Sequence, residues 1–396
     1  MPPPSRSPEP AVELVQPVEG ISSPTFDLPR WRFDVRLETS LTYDDNIFIQ
    51  PNNKQADFYF GITPLIAVGW GAFQADPTIV TGVGSRFPQV AARDVSGNAF
   101  LFRYAPTALL FVHHRDQDAV NEDVMLSGRW VTDKLTMEAS GRFQTLSAPD
   151  IDVGNRINSE VTSGLLNANY QMTQRTSIDA RFALERDSYQ GGLDSTDLEF
   201  SALLNYQLLP KTMVGLGAGL GYTTIEDGEN QYYEQGLLHL RWEPTAKLSF
   251  EGTVGLEVRE ISSGPDRTTP VFEFGANYAL ADSTSVRLSA SRRIETSALF
   301  LDQDIERTTV EASIRQRFLH KIYVTASGGF EHLDYVDAGA AANRTDSFGY
   351  FGLESAWEVT KFLSLKASYR YENDHSTNGD FSFRRNLADL QCNIQF

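Results

Sequence analysis

Cysteine is nearly absent: Cys392 stands alone, which excludes a disulfide framework and any thiolate cluster for zinc or iron–sulfur. Basic residues are in deficit. The 34 Lys and Arg stand against 52 Asp and Glu, a formal charge of −18, so the average surface repels nucleic acid and no nucleic-acid partner is expected. Long apolar runs are missing as well. Pro106 to Val112 is the nearest approach, far short of the ~18 residues a spanning helix needs, and this excludes a helical anchor. Met1 to Pro24 is Pro-rich and polar and lacks the basic-then-apolar order of a signal peptide. Residues 1–30 therefore read as a flexible Pro-rich tail, placed on the periplasmic side if the chain is exported. Export would then imply a mature form with an added Met, or a start codon placed too late.

What the sequence does have is strand-forming material. It carries 25 Phe, 15 Tyr, 5 Trp and 29 Gly, a composition that leans away from helix. From Trp31 onward, apolar residues recur with period two. Val214, Leu216, Ala218, Leu220 and Tyr222 share one face, and Met213, Gly215, Gly217, Gly219 and Gly221 the other. The same split separates Ile178, Ala180, Phe182 and Leu184 from Ser177, Asp179, Arg181 and Glu185. The strands are about 12 to 15 residues long, well beyond the mode of about 5 to 6 in globular sheets. Tight turns near Thr132, Thr173, Leu209, Pro244, Ala281, His320 and Thr360 recur every 35 to 41 residues. Looser acidic loops at the opposite ends, such as 148–156, 262–268, 298–304 and 334–343, complete an up-and-down meander.

This pattern predicts an all-β fold: a transmembrane up-and-down antiparallel β-barrel of about 18 strands over residues 31–396. Its predicted strands include 99–115, 122–131 and 134–146. Residues 71–98 form a long periplasmic-side insert that would raise the count to 20 if it hid a strand pair. A soluble sandwich or propeller shares the alternation, but a blade needs four strands per repeat of about 40 residues, and here there are two. Three further features favour the membrane. Trp31, Trp70, Trp130, Trp242 and Trp357 all lie near the tight-turn side, as a membrane-interface belt would. The polar face is too poor in bulk to fill so wide a cylinder. The last strand alternates Ala388, Leu390, Cys392, Ile394 and Phe396 with Asp389, Gln391, Asn393 and Gln395.

The run Tyr43-Asp44-Asp45-Asn46-Ile47-Phe48, the segment Ile151-Asp152-Val153-Gly154-Asn155-Arg156 and the terminal Phe396 resemble the β-barrel porin families associated with exopolysaccharide secretion. The resemblance implies an outer-membrane barrel, some members of such families passing polysaccharide to the cell surface.

With the apolar face on lipid, Arg36, Arg103, Arg142, Arg181, Arg315, Arg317 and Arg370 are expected to line the pore. Asp179, Glu199, Glu251, Glu273 and Glu311 are expected to oppose them. Mixed charge around a wide lumen holds water and suits hydrated polar solutes or sugar chains. Enzyme readings fare badly. Gly215-x-Gly217-x-Gly219-x-Gly221 lies within a strand with no helix to follow, which argues for packing space over a phosphate loop. His113-His114 should face opposite sides of a strand, so no metal site is expected there. Asp150-x-Asp152 and Asp302-x-Asp304 lack full calcium-loop spacing and read as solvated acidic loops. No Ser, His and carboxylate set stands out by spacing. No cofactor, metal or catalytic residue is assigned.

The surface loops are short, so any gating is expected from the other side, where residues 71–98 with Arg86 and Arg93 would plug the lumen or dock a periplasmic export partner. The expected function is a channel for exopolysaccharide in the outer membrane of a Gram-negative bacterium. The alternatives are a general diffusion porin for small hydrophilic solutes and a structural or adhesive barrel. Expected partners are outer-membrane lipid and lipopolysaccharide, the latter through divalent cations shared with loop carboxylates.

Overall fold

Long strands with two chemically opposed faces and hairpin connections can satisfy their outermost backbone groups only if the sheet closes on itself. It does so in a computed structural model describing residues 31–71, 79–80, 89–90, 97–261, 266–301, 303–319, 321–337 and 344–396. The tail 1–30, nearly all of the insert 71–98, Asp302, His320 and parts of the 262–268 and 334–343 loops lie outside the described residues.

Strands β1 (Trp31–Asp44) and β2 (Asp57–Gly71) form the first hairpin, with Trp31 opposite Trp70 and Asp44 opposite Asp57. Strand β3 runs in two pieces, Ala99–Tyr104 and Thr107–Phe111, and β4 in two, Ala119–Asn121 and Asp123–Val131. The meander continues through β5 (Leu135–Asp150), β6 (Asn155–Gln171), β7 (Thr176–Tyr189), β8 (Ser195–Leu209) and β9 (Thr212–Ile225). Next come β10 (Gln231–Thr245), β11 (Leu248–Ile261), β12 (Arg267–Ala281), β13 (Thr284–Thr296) and β14 (Gln303–Phe318). The last four are β15 (Ile322–Asp337), β16 (Arg344–Glu358), β17 (Leu363–Ser376) and β18 (Phe383–Gln395). Each strand pairs antiparallel with the next, and β18 pairs with β1 from Arg36 opposite Gln395 to Asp44 opposite Leu387. The result is a closed barrel of eighteen strands.

Strand β2 pairs directly with β3, Gly71 lying opposite Ala99, so the insert adds no wall strand. Among its described residues, only the ladder of Ile79–Val80 with Gln89–Val90 is regular, and it stands apart from the barrel sheet. The expected single strand 99–115 is corrected in two ways. Pro106 has no N–H to give and breaks β3, and the strand ends at Phe111 before a 3₁₀ turn at Arg115–Gln117. Strand β5 instead runs four residues past its expected end at 146, to Asp150.

The faces are inverted relative to a soluble protein. Leu216, Leu238 and Leu256 are 57 to 66% exposed on the outer wall, whereas Asn205, Glu257, Arg307 and Glu331 are at most 4% exposed on the inner one. A continuous apolar exterior of this extent is a lipid-facing surface. The tryptophans lie near the tight-turn ends, with Trp31, Trp130, Trp242 and Trp357 exposed and Trp70 half-buried.

Closure is reinforced by one buried cluster. Arg385 of β18 meets Asp44 of β1 at 2.5 Å and Glu372 of β17 at 3.5 Å, all three side chains at most 1% exposed. Arg385→Ala leaves buried Asp44 without its cation and Glu372 with Arg370 alone, and is expected to cost about 3 to 5 kcal/mol of barrel stability. Urea titration of the refolded barrel measures this, and a loss below about 0.5 kcal/mol, the range of an ordinary surface change, would contradict it.

Candidate functional site

The segment that leaves β1 turns inward. Asp44 accepts a 2.9 Å bond from the Asn46 backbone N–H as well as the Arg385 guanidinium. Asp45 accepts from the backbone and side-chain N–H groups of Asn386 on β18. The Asn46 amide donates to the carbonyls of Gln50 and Arg384. Held this way, Ile47 packs with Tyr59, Leu109 and Phe111, and Ile49 packs with Ile151, Phe348 and Phe383. Ile49 adopts φ 48°, a conformation disfavoured for a β-branched residue, and its burial in that cluster offsets the strain.

The loop between β5 and β6 reaches the same place from elsewhere on the ring. Asp150 folds it into a tight turn, its carboxylate accepting from the backbone N–H of Asp152 and Val153 at 2.9 and 3.1 Å. Gly154 has φ +69°, and a Cβ there would meet the Phe381 ring at 2.7 Å, so the position requires glycine twice over. Arg156 lies over the Phe111 ring at 4.8 Å.

This loop is gripped from the far wall. Arg344 on β16 donates to the carbonyls of Ile151 and Asp152 at 2.7 and 2.8 Å, lies over the rings of Tyr335 and Phe381, and pairs with Asp346. The loop that follows β13 arrives from a third side. Ser297 Oγ donates to Asp152 at 3.0 Å, the Ala298 backbone N–H at 2.6 Å, and the Ala298 carbonyl accepts from Leu193 at 2.8 Å. Loops from five hairpins thus meet and bridge the lumen on the loop side. The start of β14 reaches strands beyond its neighbours: Asp304 accepts from Gln231 of β10, and Glu306 from Thr269 of β12.

Three expectations are corrected here. Short loops do form a constriction, because several loops share the span and each needs to reach only part of the way. Asp150 and Asp152 are buried at 5 and 7% exposure, not solvated, and are taken up by backbone and loop contacts. His113 and His114 both meet Asp57 through Nδ1 at 2.9 Å, because the strand has ended before them. No group of three or more His, Cys, Asp or Glu suited to a metal occurs among the described residues.

The wall residues singled out in the sequence are distributed around the barrel. Arg36 pairs with Asp34 at 2.6 Å, and Arg142 and Arg103 both approach Asp123, at 2.9 and 3.3 Å. Arg370 pairs with Glu372 at 2.7 Å and covers the Tyr350 ring at 3.8 Å; Tyr350 in turn donates to Glu311 at 2.8 Å. Arg315 covers Tyr323 at 4.5 Å, and Arg317 lies beside the same tyrosine. Asp179 accepts from Asn169 and Asn205, and Glu251 meets Arg241 at 2.7 Å. Arg181 lies opposite Asn167 and Ser201, Glu199 opposite Gly221, and Glu273 opposite Thr253 and Ser291. The glycine row of β9 makes room for its neighbours. Cβ atoms on Gly215, Gly217 and Gly221 would strike Asn205, Leu203 and the Tyr233 ring, all within 2.6 Å.

A family model described as "Putative beta-barrel porin 2" matches residues 239–396. No curated protein matches the sequence. Among solved structures, OccAB3 of Acinetobacter baumannii is similar with TM-score 0.45 and 11% identity, over 92% of this chain and 99% of that one. OpdO of Pseudomonas aeruginosa is similar with TM-score 0.47 and 12% identity, over 92% and 97%. A bacterial polysaccharide outer membrane secretin is similar with TM-score 0.36 and 10% identity, over 91% and 98%. The family match lies in the C-terminal part of the barrel and is of the kind implied by the resemblance read from the sequence.

Asp152 carries a pH dependence. Burial, and next the Asp150 charge, push its carboxyl up to about 6 against the opposing Arg344 guanidinium and the bonds from Ala298 and Ser297. The folded state then binds this proton more tightly than the unfolded one. The group's contribution is complete below pH ~4 and is lost as pH rises through about 6, up to about 3 kcal/mol in all. Asp152→Asn is expected to flatten that part of the stability profile between pH 4 and 7, measured by urea titration; an unchanged slope would contradict it.

Proposed function

We propose that the barrel is an outer-membrane export channel for exopolysaccharide whose loop-side mouth stands closed and opens for passage. The observation that carries this reading is the bridge of Asp152 to Arg344, Ser297 and Ala298 across the lumen. A general diffusion porin needs a standing opening, and interlocked loops deny it one. The inner wall suits sugar chains: paired Arg and carboxylate groups hold water without strong selectivity.

In this reading the charged residues named above line the path, and the five tryptophans sit at the periplasmic membrane interface. Residues 71–98 are the site for a periplasmic export partner, and the acidic loops meet lipopolysaccharide through divalent cations. The barrel is a channel first, with diffusion of small solutes as the second reading if the bridge opens freely.

Planar-bilayer recording of the refolded protein tests this. The wild type is expected to show small, intermittent conductance, and Arg344→Ala a severalfold larger, steady one that added soluble exopolysaccharide blocks. A large steady conductance in the wild type, indifferent to Arg344→Ala, would refute the closed mouth and leave the diffusion porin. A larger conductance that no polysaccharide blocks would refute the substrate.

A further inference from the structure

The outer wall carries a constellation that strand spacing alone conceals. Strands β15 and β16 pair so that His332 lies directly opposite Ser347. Both face away from the lumen, since Glu331, Leu333 and Phe348 beside them are buried inside. His332 Nδ1 lies 3.4 Å from Ser347 Oγ, and its Nε2 lies 3.3 Å from Asp334 Oδ1, two residues along the same strand. Thr345 Oγ1 donates to that same carboxylate oxygen at 3.3 Å and steadies it. Serine, imidazole and carboxylate are therefore aligned across two rigid strands, at the loose separations common to such sets before substrate binds.

The level in the membrane is telling. One step toward the membrane centre on the same outer face come Phe330 and Gly349, which oppose each other, and the next step brings Gly328 opposite Phe351. Phe330 and Phe351 are each 51% exposed and begin the apolar band. Beside Gly349 and Gly328, a Cβ would meet only backbone oxygens, at 3.8 and 3.3 Å, so the two glycines leave a side-chain-free furrow leading down from Ser347 between the rings. On the far side of Ser347 the register places His375, and Arg384 projects from β18 opposite Asn373. A polar catalytic-type set above an apolar furrow matches the depth at which acyl esters of a lipid meet the headgroups.

We propose that Ser347, His332 and Asp334 form a lipid-facing acyl-ester hydrolase site acting on outer-leaflet lipid, independent of the lumen. Ser347 Oγ attacks the ester carbonyl carbon as its proton passes to His332 Nδ1. The bond from that carbon to the alcohol oxygen then breaks, and the leaving oxygen takes the proton from the imidazolium, giving a free alcohol and an acyl-serine. Water attacks the acyl-serine, its proton passing to His332 and then to the departing Ser347 Oγ, and the fatty acid is released. Ser347 and His332 are the catalytic residues; Asp334 is a positioning residue that orients the ring and stabilises its cation.

The test uses the refolded barrel in phospholipid mixed micelles, reading fatty-acid release and covalent labelling by a fluorophosphonate located by peptide mass spectrometry. Labelling is expected at Ser347 and absent in Ser347→Ala, with fatty-acid release lost in that variant and at least ~100-fold slower in His332→Ala. Asp334→Asn is expected to shift the pH profile of release as well as slow it, which a merely structural role would not do. Gel mobility of the unheated barrel and bilayer conductance confirm that each variant is folded. A folded wild type that neither labels at Ser347 nor releases fatty acid above the Ser347→Ala level overturns the proposal.

Discussion

The constraint on which the structure depends is that no backbone N–H or C=O can be left without a partner in hydrocarbon. A meander of hairpins has two raw edges, and pairing β18 with β1 removes both. Everything else follows from that closure. Across the middle of the wall the outward side chains are apolar and face lipid, and the charged ones there face in, where they are too crowded to remain solvated singly. They pair, and the most buried of these groups, Arg385 between Asp44 and Glu372, sits on the closing seam itself. Such pairs cost desolvation, and their value lies in holding register where a slip would place charge in lipid.

Closure also leaves a cylinder wider than side chains alone can fill, and the loops address that problem. The chain after β1 and the loop after β5 bring Ile49 and Ile151 into one cluster inside the barrel. Arg344 suits the central position because its planar fork reaches two carbonyls and a carboxylate at once while its faces stack on Tyr335 and Phe381. Lysine could satisfy only part of that geometry. The loops are therefore joined by polar contacts that water can replace, beside the apolar cluster of Ile49, Ile151, Phe348 and Phe383.

The barrel was legible in the sequence because period-two alternation and hairpin spacing are local signals. Leu216 against Gly217, or Phe182 against Arg181, declares its face without reference to any partner. The site was legible only in pieces. Tyr43 to Phe48 and Ile151 to Arg156 stood out as segments, but nothing in the chain tells that they meet, since contacts across the lumen are set by loop trajectories and not by strand register. The inward bend of Asp150 and Asp152 was missed because acidic, Gly-containing loops read as solvated until an arginine from a distant strand is placed over them. The Ser347, His332 and Asp334 alignment was missed for a related reason: a loop separates the two strands, and only the pairing of β15 with β16 puts serine opposite histidine.

The central claim is that loops from different sides of the ring meet inside the lumen, and a cross-link tests it most directly. The double variant Asp152→Cys with Ala298→Cys, in a Cys392→Ser background, places two thiols where a carboxylate now meets a backbone N–H at 2.6 Å. Mild oxidation of the folded barrel in lipid is expected to join them nearly completely, seen as a mobility change reversed by reductant, and to suppress conductance until reduction restores it. Failure to cross-link in a barrel shown to be folded, with both thiols freely labelled by a bulky hydrophilic reagent, would contradict the bridged lumen.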